Sequence, residues 1–75
     1  MTRKLYEVAR EIRQEWKKVS PYAEPYLEAM ESLNSVSDNY YYDTGKSVVL
    51  YFLANAQSFR GEAARRIKAE LKSLV

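Results

Sequence analysis

Seventy-five residues hold one domain at most, and with no Cys and no His the chain has no disulfide to brace it and none of the usual transition-metal ligands. The missing imidazole also removes ordinary hydrolytic triads and the commonest general base, so a non-enzymatic protein without metal or cofactor is expected. The formal net charge of +2 hides three blocks: residues 1–20 carry six basic and three acidic side chains, residues 21–45 carry five acids and no base, and residues 46–75 carry six basic and two acidic.

The first predicted element runs from about Thr2 to Val19. Leu5, Val8, Ile12, Trp16 and Val19 recur at helical spacing and make one apolar stripe. Thr2 is the expected N-cap. Trp16 lies on the stripe and is expected in the core. Arg10, Arg13 and Lys17 fall on another face, which is expected to be solvated.

Pro21 and Pro25 interrupt this helix. With Pro25 at its first position, a short second helix is expected to about Leu33. It buries Leu27, Met30 and Leu33, with Tyr26 flanking. Glu24, Glu28 and Glu31 share one of its faces. Carboxylates near a helix start suit the local dipole.

Residues 34–43, "NSVSDNYYYD", read as a polar and then aromatic connector, since Asn, Ser and Asp favour turns. Val36 is expected to tuck inward. The third helix is expected over about 44–58, capped by Asp43 or Thr44, with Val48, Val49, Phe52, Leu53 and Ala56 on a broad apolar arc widened by Leu50 and Tyr51. The fourth begins between Phe59 and Glu62 and runs to the C-terminus. Its stripe is Ala63, Ile67, Leu71 and Leu74, and Arg66 is expected to pair with Glu62 and Glu70 one turn away on either side. The fold class expected is therefore all-α, a small bundle of four helices with the second short. No run is long and apolar enough to span a bilayer, and "MTRKLYEVAR" has no signal core, so a soluble, cytoplasmic protein away from membranes is expected.

Gly45-Lys46-Ser47 resembles the end of a phosphate-binding loop. The full motif needs another glycine five positions before Gly45, and Tyr40 stands there. Asp43 would repel an anion, and the chain is too short for the parallel sheet such loops require. Gly45 is instead expected to permit close packing or an unusual backbone angle. Asp38 and Asp43 do not form a calcium loop, because Tyr40 and Tyr42 occupy ligand positions.

Binding residues remain. Tyr40, Tyr41 and Tyr42 are consecutive on the connector, and three adjacent side chains cannot all face inward. Tyrosine gives large contact area with few rotors to freeze, which suits an interface. With Glu24, Glu28, Glu31, Asp38 and Asp43 they form the candidate protein-binding set, directed at a basic partner. The alternative is a nucleic-acid interface formed by Arg60, Arg65, Lys68 and Lys72 on the last helix. A third reading buries the aromatics between the subunits of a homodimer.

"YFLANAQSFRGEAARRIKAEL", residues 51–71, resembles a pattern found in small helical proteins of bacterial phages, prophages and mobile elements. In that pattern an apolar helix is followed by Asn-Ala, an aromatic, Arg-Gly and then Ala-Arg-x-Ile-Lys-x-Glu-Leu. "LYEVAREI", "PYLEAM" and "YFLANA" are similar too, so the resemblance spans most of the chain. It implies an accessory protein that binds a host protein such as a defence nuclease, with inhibition as one outcome, or that binds DNA. No catalytic residue follows from it.

Overall fold

In a computed structural model, which describes residues 3–75, four helices enclose one core: α1 (Leu5–Glu15), α2 (Glu24–Met30), α3 (Gly45–Ala54) and α4 (Glu62–Leu74). Between α2 and α3 the chain forms a small antiparallel sheet, β1 (Asn39–Tyr40) and β2 (Asp43–Thr44), in which Asn39 faces Thr44 and Tyr40 faces Asp43. The expected four helices, with a short second one, are present, and the strictly all-α part of the expectation gives way to this small sheet. The fold is predominantly helical, and the aromatic connector is a hairpin.

The helices bury the apolar positions their periodicity marks. Leu5, Val8, Ala9 and Ile12 of α1 meet Leu27, Ala29 and Met30 of α2, Val48, Val49 and Phe52 of α3, and Ala64, Ile67 and Leu71 of α4. On α4 the buried alanine is Ala64; the expected Ala63 is only half-buried. The extents of 30 × 29 × 18 Å leave room for two helical layers in the thin direction.

The first three helices are shorter than their apolar patterns, whereas α4 spans the whole of its stripe. α1 stops at Glu15 because Trp16 turns extended (φ −109°, ψ 92°) and swings its indole under α3. There it stacks on Phe59 at 5.1 Å and meets Phe52 edge-on at 6.2 Å. Phe59, expected only as a boundary, is a full core residue. α2 begins at Glu24, so Pro25 is its second residue rather than its first, and the chain reaches Leu33 through two tight turns. α3 ends where the Asn55 side-chain amide donates to the Tyr51 carbonyl at 2.8 Å. The expected Thr2 cap lies outside the described residues. α1 is entered at Lys4, whose N–H donates to Glu7 Oε1 at 2.9 Å. The first N–H groups of α1 donate to the Leu33 and Asn34 carbonyls, which fastens the hairpin's approach to the helix start.

Ion pairs join the helices in ways that sequence spacing does not show. Arg66 pairs with Glu11 on α1 and with neither Glu62 nor Glu70. Glu70 is held by Arg3 at 2.6 Å, and Arg3 also reaches Glu11 at 2.8 Å. Arg66 and Arg3 hold the Glu11 carboxyl below the ordinary carboxylate range, and Arg3 does the same to Glu70. A carboxylate depressed in the folded state stabilises at pH values above its unfolded pKa, and that stability is lost as pH falls through the folded value. The melting temperature is therefore expected to drop as pH is lowered from about 5 toward 2. Arg3→Gln should flatten that drop; an equally steep pH profile in the variant would remove the network as its cause.

Candidate functional site

The acidic face of α2 and the tyrosine hairpin meet. Glu28, Glu31, Ser32, Asn39, Tyr40 and Tyr41 line one open groove of about 500 Å³. Two of the groove's residues, Ser32 and Asn39, were not anticipated. They belong to it because the hairpin folds back toward the end of α2.

The hairpin turn is Tyr41-Tyr42. Tyr41 has φ +57° and is the one non-glycine residue with positive φ among those described. The two-residue turns that match strand twist prefer Gly, Asn or Asp at such positions, and a bulky residue there costs of order 1 kcal/mol or more. The side chains placed at this cost point outward: Tyr41 is 85% and Tyr42 104% exposed. Tyr40 is half-buried against the core and holds Tyr41 edge-to-face at 4.8 Å and 84°. One tyrosine thus anchors the hairpin and two are displayed.

The five acids have separate fates. Arg13 grips two of them. Its guanidinium contacts Glu24 at 2.7 and 3.1 Å and Glu31 at 2.9 and 3.0 Å. The expected solvated role of Arg13 is therefore corrected, and the Glu24 carboxyl is held below the usual range by these hydrogen bonds. The Asp38 carboxylate accepts the Asn34 and Ser35 N–H groups at 3.0 and 3.2 Å, and its carbonyl accepts the Gly45 N–H at 2.6 Å. It shapes the loop and is half-buried. Glu28 and Asp43 are thus the members of the acidic set whose carboxylates stay exposed and without an ion pair among the described residues.

The start of α3 is closed to phosphate. The Gly45 N–H donates to Asp38, the Lys46 N–H to the Val36 carbonyl at 2.9 Å, and the Ser47 N–H to Thr44 Oγ1 at 3.1 Å. Thr44 is the cap, as one of the two expected candidates. The groups a phosphate would need are already satisfied.

On α4 the four basic residues also separate. Lys68 Nζ donates to the Ala56 and Phe59 carbonyls, both at 2.7 Å, and so fastens the connector between α3 and α4. Burial lowers its pKa, with Lys72 and Arg60 adding to the shift. Arg60, Arg65 and Lys72 are exposed. A shallow depression of about 290 Å³ lies among Phe59, Arg60, Gly61, Ala64, Arg65 and Lys68.

Leu50 and Tyr51, expected to widen the core arc, remain 47% and 52% exposed, with Tyr51 stacked on Tyr26 at 5.5 Å. Among the described residues no group of three or more acidic side chains is placed to hold a metal ion, and no helix is long and apolar enough to cross a membrane. Comparison with protein-family models, with curated proteins and with solved structures finds no match.

Proposed function

We propose that this chain is a non-enzymatic binding module that holds a basic protein surface in the groove between α2 and the tyrosine hairpin. The observation that carries the reading is the display of Tyr41 and Tyr42 on a strained turn beside that groove. Strain that a fold tolerates at an exposed position is a pointer to function. Exposed tyrosines offer contact area at low entropic cost, and the free carboxylates of Glu28 and Asp43 favour cations over anions. Asp38 and Arg13 support the site by fixing the loop and the acidic helix face.

The resemblance to phage and mobile-element proteins supplies the setting: an accessory protein in the host cytoplasm whose partner is a host protein, with inhibition of a basic enzyme such as a defence nuclease as its effect. A protein that presents carboxylates can occupy a surface built for phosphates.

Capture from nuclease-treated host lysate tests this. The wild-type chain is expected to retain a basic protein. Glu28→Lys with Asp43→Lys should abolish retention, since like charges brought together cost several kcal/mol. Tyr41→Gly should weaken it at least tenfold while leaving stability within about 1 kcal/mol, because relief of strain offsets the added chain entropy. Full retention by both variants would remove the groove from the contact.

A further inference from the structure

The cations of α4 form a surface of their own, remote in composition from the groove. Arg65, Lys68 and Lys72 follow one another at helical spacing on one face, and the helix rise places the first and last about 10 Å apart along the axis. Arg60 joins them from the preceding connector, where its Nε donates to the Gln57 carbonyl at 3.3 Å. Lys68 lies close enough to Lys72 and Arg60 for both to oppose its charge.

Among the described residues the cations of this face make no ion pair with a carboxylate: the ion pairs are made by Arg3, Arg13 and Arg66, and none by Arg60, Arg65, Lys68 or Lys72. Glu70 belongs to Arg3 on another face, and Glu62, one turn before Arg65, forms no pair with it. Arg60, Arg65 and Lys68 line a shallow depression, Lys72 follows one turn beyond Lys68, and these four cations outnumber the exposed Glu62 beside Arg65, so the surface carries an excess of positive charge. Arg65, Lys68 and Lys72 succeed one another along the helix axis, which fits a repeating anion better than a single one. Phosphates follow at about 3.4 Å of axis per nucleotide along one strand of a duplex, so the stretch from Arg65 to Lys72 spans roughly three of them.

We infer that Arg60, Arg65 and Lys72 bind the phosphate backbone of a nucleic acid, with Lys68 fixing the connector that carries Arg60. Lys68 acts as a positioning residue. The contact reads no base edges and is independent of sequence. It is a second surface and does not rest on the protein-binding groove.

The test is fluorescence anisotropy with a short labelled DNA duplex across a salt series. Three phosphate contacts predict a slope of log K against log salt of about −3, which is roughly a 40-fold loss of affinity between about 50 and 200 mM salt. Arg60→Gln, Arg65→Gln and Lys72→Gln are each expected to reduce the slope by about one, and the triple variant to lose binding. Tyr41→Gly should bind DNA like the wild type, so failure of the groove proposal and failure of this one are separable. No saturable binding at about 50 mM salt, a slope unchanged in the folded triple variant, or equal affinity for polyglutamate, a polyanion without phosphate, would each overturn the inference.

Discussion

Trp16→Ala is expected to remove most of the stability of this fold. The indole is buried at the end of α1 and touches the rings of both Phe52 and Phe59, so it joins three elements of the core. Deleting a buried Trp or Phe costs about 3–5 kcal/mol. A chain of 75 residues has of order 4–11 kcal/mol in total. No disulfide compensates. Urea unfolding followed by circular dichroism should show a midpoint reduced by half or more, or no cooperative transition at all. Trp16→Phe keeps part of the stack and should fall between. A Trp16→Ala variant that melts like the wild type would place the cohesion of the core elsewhere.

Gly45→Ala is expected to be damaging too, by less and for the opposite reason. A Cβ at position 45 would lie 2.6 Å from the Ser35 carbonyl oxygen and 2.9 Å from Val36 Cα. Both are backbone atoms, so no side chain can swing away. Overpacking of this kind costs about 1–3 kcal/mol. The clash also sits on the contact that holds the hairpin loop to α3, where the Gly45 and Lys46 N–H groups donate to residues 38 and 36. The variant is expected to lose protection from hydrogen exchange at those two amides before the rest of the helix. Gly61 makes a useful contrast. A Cβ there meets nothing within 4 Å, and the penalty comes from φ +112° alone. An Ala at 45 that leaves melting and exchange unchanged would contradict the packing account.

The sequence carried the helices well and the connector poorly, for definable reasons. Stripes such as Leu5–Val8–Ile12–Trp16 survive because a buried face imposes its period whatever the details. Helix ends were overextended where an apolar residue continues the stripe after the backbone has turned: Trp16, Leu33 and Ala56 are all buried beyond their helices. The hairpin was hidden because its turn is Tyr41-Tyr42, without the Asn or Gly that signals such turns. Gly45 was legible in kind, since a glycine at a helix start needs a local cause, and the cause is the Ser35–Val36 backbone. Charges were the least legible. Spacing paired Arg66 with Glu62 and Glu70, whereas the fold gives it Glu11; spacing left Arg13 to solvent, whereas the fold gives it Glu24 and Glu31. Long side chains reach across elements, and pattern along one element does not record that. Of the eight candidate protein-binding residues, the structure brings Glu28, Glu31, Tyr40 and Tyr41 to one groove and assigns Asp38 to the loop.

The measurement that addresses the central claim most directly is site-specific photo-crosslinking in nuclease-treated host lysate. A photoreactive phenylalanine replaces Tyr41 in one variant and Arg65 in another. The groove proposal predicts a discrete protein adduct from position 41, competed away by unlabelled wild-type chain, and none from position 65. An adduct from position 65 alone, or no adduct from position 41, would contradict it.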